Sequence, residues 1–218
     1  MTRAYAIGDV HGCLDQLQQL IGFCEEDAGP DKSTFIFLGD YIDRGPDSRG
    51  VIDLLMDLQK WSPDEVICLK GNHEDLLLAS LEGEDAEQHW IASGADATLR
   101  SYRAFRAADL PTSHIDWIRS LSLSHDDGQR FFVHAGVHPD RPLDQQRSRD
   151  LLWIREPFLS SGQDYGRFIV HGHTPMKSGR PDLHPNRLNL DTGAVYGRPL
   201  SAAVFDRYQL APLKFIQA

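Results

Sequence analysis

Short apolar runs punctuate this chain, and each is closed by glycine next to a carboxylate or an imidazole. Residues 4–7 (AYAI), 34–38 (TFIFL) and 65–69 (EVICL) predict strands. Phe35 to Leu38 form a continuous apolar stretch bounded by turn formers, the pattern of a strand buried on both faces. Between the runs the period changes. Leu14, Leu17, Leu20, Ile21 and Cys24 share one helical face over 14–24, and Val51, Leu54, Leu55 and Leu58 do so over 50–60. Further helices are predicted over 74–81, over 97–121 in two pieces broken at Pro111, and near 145–154. QRFFVHAG, RFIVHGH, RLNLDTG, LSAAVFD and PLKFIQ read as later strands. The first third is therefore βαβαβ, which implies parallel strands, and the last third is mostly strand. No repeat, low-complexity stretch or linker interrupts it, so residues 1–218 read as one α/β domain.

Composition narrows the classes. A chain of 218 residues can bury a full core, and 41% apolar with 25% charged residues is ordinary for a folded globular protein. No apolar run approaches the roughly 18 residues of a membrane span, and Asp9 arrives before a secretory apolar region could form. Cys13, Cys24 and Cys68 lie in apolar stretches without CxxC spacing, which predicts reduced core filler and a cytoplasmic location. The net charge is −10 but uneven: residues 1–109 carry 21 Asp and Glu against 9 Lys and Arg, residues 110–218 carry 11 against 13. Without a basic tract, nucleic acid is excluded as a partner, as is a membrane. The acidic run EGEDAE (82–87) reads as a solvated loop.

The chemistry sits where the strands end. In order come Gly8-Asp9-Val10-His11-Gly12, Gly39-Asp40 with Asp43-Arg44-Gly45, Gly71-Asn72-His73-Glu74, His134-Ala135-Gly136 and His171-Gly172-His173-Thr174. Ligands of open parallel sheets bind at the carboxyl ends of strands, and glycine lets backbone approach them closely. Any one cluster reads as a cap or a turn; five in one chain do not. Asp40, Asp43 and Asp47 within eight residues would repel one another unless something positive lay among them. Asp, Asn and His are the oxygen and imidazole donors that borderline divalent metals take, which makes two divalent cations the missing charge.

GDVHG, GDYIDRG, GNHE, HAG and GHT, in this order, resemble the signature of the metal-dependent phosphoprotein phosphatases of the calcineurin-like superfamily. LLWIREP (151–157) resembles the Trp-x-Arg-Glu segment of small phage and bacterial members. NLDTGAVYG (189–197) resembles their late strand, and QHWIASGA (88–95) also has a counterpart, so the likeness runs nearly end to end. It implies a calcineurin-like metallophosphoesterase fold, a β-sandwich flanked by helices on both sides. It implies that Asp9, His11 and Asp40 hold a first metal and that Asp40, Asn72, His134 and His173 hold a second, with Asp40 bridging. Manganese is the first choice of ion, with iron and zinc as alternatives. His171 falls outside the ligand set, and His89, His114, His125, His138 and His184 read as surface residues.

The resemblance also implies the chemistry. A hydroxide held between the metals would attack phosphorus in line. Arg44 and Arg155 would clamp phosphoryl oxygens, because a guanidinium fork matches phosphate geometry. His73 would protonate the leaving alkoxide, with Asp43 holding its ring. The leading substrate is phosphoserine or phosphothreonine in a protein or peptide, since Asp43 and Glu74 are features of that branch. A dinucleoside polyphosphate hydrolase is the alternative. A metal-binding regulator without turnover finds no support, because every ligand and both arginines are present.

Overall fold

The computed structural model describes residues 3–62 and 65–218. Ten strands and seven α-helices are found among them. The strands are β1 (Arg3–Ile7), β2 (Ser33–Phe37), β3 (Val66–Cys68), β4 (Ser124–Asp126), β5 (Arg130–Val133), β6 (Phe168–His171), β7 (Asp182–Leu183), β8 (Arg187–Asn189), β9 (Ser201–Phe205) and β10 (Lys214–Gln217). The helices are α1 (Leu14–Ala28), α2 (Ser48–Trp61), α3 (Asn72–Ser80), α4 (Glu84–Trp90), α5 (Asp96–Tyr102), α6 (Thr112–Ser120) and α7 (Ser148–Trp153).

The strands form two five-stranded sheets, ordered β10-β9-β1-β2-β3 and β4-β5-β6-β8-β7. β1, β2 and β3 pair in parallel, as the βαβαβ reading implies, and β5, β6 and β8 do the same in the second sheet. Packing follows the two-residue period of each strand. On β1, Ala6 turns inward with Ile36, Leu38, Ala203 and Phe205 against Phe132, Val170 and Leu188 of the other sheet. Tyr5 and Ile7 turn outward to Leu17, Leu20, Val51 and Leu55 of α1 and α2. The outer face of the second sheet, with Val133 and Ile169, packs on Leu151, Ile154 and Phe158. The architecture is thus a β-sandwich with helices on both outer sides. Three free cysteines are present, with Cys24 and Cys68 buried. No helix among the described residues is long and apolar enough to cross a membrane.

Three expectations need correction. The acidic run is not a loop throughout: α4 starts at Glu84, and Glu84, Asp85 and Glu87 occupy its first turn, where carboxylates meet the positive end of the helix dipole. The helical stretch predicted over 97–121 breaks well before Pro111. α5 ends on Arg103 in the left-handed region (φ 56°), and α6 resumes only at Thr112. His114 is buried, not a surface residue, with its Nδ1 2.9 Å from the Tyr102 hydroxyl.

Candidate metal centre

β1, β2, β3, β5 and β6 present their carboxyl ends to one edge of the sandwich. Asp9, His11, Asp40, Asp43, Arg44, His134 and His173 lie in the loops after β1, β2, β5 and β6, Asn72 and His73 open α3 after β3, and Arg155 follows α7. Local backbone geometry makes the cluster possible. His11, Asp40, Asp43, Arg44 and His173 all adopt positive φ, between 45° and 74°. Such residues cost of order 1 kcal/mol or more each, persist only where the surroundings dictate them, and gather at functional sites. At Gly39 (φ 102°) a side chain would drive into the Gly71 backbone at 2.5 Å, so the loops after β2 and β3 lie in contact.

Asp40 sits in the middle. Its Oδ2 lies 3.4 Å from His11 Nε2, and its Oδ1 lies 3.5 Å from His134 Nε2. One carboxylate thus faces two separate donor groups, as a bridging ligand must. The ligand-bearing atoms of His11, Asp40 and His73 form one compact group, and those of Asp40, His134 and His173 form a second. Asp9 joins neither group. Its carboxylate accepts the backbone N–H of His173 at 3.1 Å and is buried beside Asp191 and Asp40.

The donors fit a cation. His11 Nδ1 lies 2.8 Å from the Ile42 carbonyl and His134 Nδ1 lies 3.0 Å from the Leu38 carbonyl. A carbonyl only accepts, so both imidazoles carry hydrogen on Nδ1 and offer a lone pair on Nε2. His134 Nε2, Asn72 Oδ1 and His173 Nδ1 then form a triangle with edges of 2.9, 2.8 and 3.2 Å. The lone pairs of His134 and Asn72 face each other with no hydrogen between them, an arrangement that a shared cation stabilises. Burial lowers the histidines, His11 and His173 to about 3, and His134 in the same direction, so all three are neutral imidazoles able to serve as ligands. Burial, with Asp191 and Asp40 nearby, raises Asp9 well above the carboxylate range, and burial lifts Asp191 to about 7. Carboxylates crowded in this way become fully charged only with positive charge among them.

The remaining predicted residues surround these donors. Nδ1–H of His73 donates to Asp43 Oδ2 at 2.7 Å, with both side chains buried. Burial opposes charge on this imidazole, but Asp40 and Asp43 outweigh it and raise His73. Arg44 Nη1 donates to His11 Nε2 at 2.8 Å; among the described residues it forms no ion pair with Asp47. Arg155 is exposed and lines a cleft of about 380 Å³ with Arg149, Trp153 and His173. His171 is buried against Phe158 and belongs to neither donor group.

Two contributors have no assigned role at the site in the sequence reading: Glu74, named there only as a branch feature, and Asp191. Glu74 is fully buried and accepts backbone N–H groups on both sides of Asp40. Asp191 follows β8 in Leu190-Asp191-Thr192-Gly193, and the strand-end rule applied to the other clusters would have found it.

Comparison with known proteins agrees with this geometry. A family model for calcineurin-like phosphoesterases matches residues 2–204. A serine/threonine-protein phosphatase 1 of Salmonella typhimurium is 31% identical over 214 residues, covering 91% of this chain and 90% of that one. An asymmetrical bis(5'-nucleosyl)-tetraphosphatase PrpE of Oceanobacillus iheyensis is also 31% identical, over 225 residues, covering 91% and 87%. The crystal structure of a candidate diadenosine tetraphosphatase superposes with a TM-score of 0.70 at 24% identity, covering 99% of this chain and 92% of that one. With its donor groups and its two helix-flanked sheets, this chain belongs to the calcineurin-like phosphoesterase family.

Proposed function

We propose that this metallophosphoesterase hydrolyses phosphoserine and phosphothreonine monoesters in proteins or peptides. The observation that carries the reading is the buried His73–Asp43 pair, set against the His11–Asp40 group. A serine alkoxide is a poor leaving group and needs a proton as its P–O bond breaks. Asp43 occupies Nδ1 of His73, which leaves Nε2 to deliver that proton.

Arg44 and Arg155 bind the phosphoryl oxygens and set the phosphorus between the donor groups. Arg44 keeps further N–H donors beyond the one used on His11, and Arg155 has no ion-pair partner among the described residues. Asp9, His11, Asp40, Asn72, His134 and His173 would hold two divalent cations, with manganese the first choice of ion. When bound, such cations neutralise phosphoryl charge and acidify water at neutral pH. Asp43 keeps the His73 ring in the orientation and tautomer that the transfer needs.

Hydrolysis of dinucleoside polyphosphates is the second reading, favoured by the equal identity to the PrpE relative. A substrate panel with Mn²⁺ separates the two: phosphoserine peptides, mononucleotides and diadenosine tetraphosphate side by side. The first reading expects kcat/KM on the peptide to exceed that on the dinucleotide by at least about tenfold, a ratio that differential transition-state binding readily produces. The reverse order assigns the chain to dinucleotides.

A further inference from the structure

We propose that the bend joining α4 to α5 is the frame that positions the turn carrying Asp43 and Arg44. In this frame Trp90 and Thr98 hold Asp43, and Gly94 holds Arg44. The proposal rests on His73 acting as the proton donor.

The turn needs a frame. Asp43 and Arg44 are consecutive residues at φ 74° and 68°, a conformation neither adopts readily alone. Trp90 Nε1–H donates to Asp43 Oδ2 at 2.9 Å, the same oxygen that receives His73. Thr98 Oγ1–H donates to the other oxygen, Oδ1, at 2.6 Å. A hydroxyl has one proton, so Thr98 accepts at its remaining contacts, from the Asp43 N–H at 2.8 Å and from the Ser48 hydroxyl at 3.0 Å. Every member of this network is buried. The carboxylate is therefore held at both oxygens, by Trp90 and Thr98, independently of the imidazole.

Arg44 is fixed from the same bend. Its N–H donates to the Gly94 carbonyl at 3.0 Å. Gly94 sits at φ 110° in the wide turn of Ile91–Ala95, and a side chain there would meet Arg44 Cγ at 2.8 Å. The contacts come from Trp90 before the kink, Gly94 at it and Thr98 after it, so the bend as a whole meets the turn. Trp90 as mere core filler would need no charged acceptor; here its N–H shares one with His73.

A leaving-group experiment tests this on the metal-loaded enzyme. kcat and KM are measured for a phosphoserine peptide and for p-nitrophenyl phosphate, whose phenolate leaves without a proton. Metal content and Tm are read for each variant: His73→Asn, Thr98→Val, Thr98→Ser, Trp90→Phe and Gly94→Ala. Thr98→Val and Trp90→Phe are expected to lower kcat on the peptide by about tenfold or more, the scale of small misplacements of reacting groups, with far less loss on the nitrophenyl ester. Thr98→Ser keeps the hydroxyl and retains most of the rate. Gly94→Ala raises KM on both substrates, because it disturbs Arg44. Equal losses on both substrates in Thr98→Val and Trp90→Phe, beside a selective loss in His73→Asn, would overturn the frame alone. No selectivity in His73→Asn would overturn the proton-donor reading and the frame with it. Should Thr98→Val fail to fold, Trp90→Phe decides, since it removes the N–H donor while keeping an aromatic ring in the core, and its Tm reads the cost of the smaller side chain.

Discussion

Glu74 accepts the backbone N–H of Asp40 at 2.8 Å, so a side chain of α3 holds the loop that follows β2. The same carboxylate accepts from Tyr41 at 2.8 Å, Ile42 at 3.3 Å and Gly71 at 2.9 Å. A glutamine offers one acceptor oxygen, and its amide would face N–H groups that have no other partner. Each unsatisfied buried donor costs about 1–3 kcal/mol. Glu74→Gln is expected to destabilise by about 3 kcal/mol, or about 10 °C in Tm for a chain of this size. Thermal unfolding of the variant checks this, and a Tm within 2–3 °C of the parent (about 1 kcal/mol) would contradict it.

Asp40 faces both donor groups, so its loss should be felt in both. Asp40→Asn is expected to lower metal content to one ion or fewer and to abolish turnover. His11→Ala should mainly weaken one site. Metal counting on the two purified variants provides the comparison. Two ions retained with normal turnover in Asp40→Asn would end the bridging assignment.

Arg155 lines the cleft with His173 but belongs to neither donor group. Arg155→Ala should therefore keep both metals while losing phosphate affinity and turnover. A loss of about tenfold to a hundredfold in kcat/KM fits one charge-assisted phosphate contact of about 1.5–3 kcal/mol. A value within twofold of the parent on a phosphopeptide would remove Arg155 from the site.

Away from the centre, Asp27 accepts from Arg3 at 2.8 Å and Tyr5 at 3.0 Å, and it pairs with Lys214. Burial raises this carboxyl, but hydrogen bonds from Lys214 and Tyr5 outweigh it and leave the group below its usual range. A carboxyl lowered in the folded state contributes stability above the unfolded value near about 3.9, and loses it as pH falls through the folded value. The Tm gap between parent and Asp27→Asn should be open at pH 7 and close as pH drops below about 4. A gap that widens toward acid would reverse the sign of the linkage.

The residues gathered at the candidate metal centre were legible because their signal is local. Glycine beside Asp, His or Asn at the end of an apolar run is a short-range pattern, and the positive φ values of His11, Asp40 and His173 are its structural form. Residues that act from a distance left no such mark. Thr98 reaches Asp43 across 55 positions and Trp90 across 47, and nothing in either neighbourhood announces a carboxylate. α4 was hidden because its first-turn acids have the composition of a solvated loop. His114 reads as a surface residue in sequence because its burial against Tyr102 depends on how α5 and α6 pack.

The sheet order has a consequence for how the chain is made. β1 lies in the interior of its sheet, between β2 and β9, with Ala4 opposite Phe205. On the ribosome, β2 emerges soon after β1, but the other flank stays unpaired until residues 201–205 have been synthesised. For most of translation the chain therefore carries an open strand edge along Ala4–Ile7, available for pairing with another chain. A short, Ala-containing strand limits what that edge can capture while it waits.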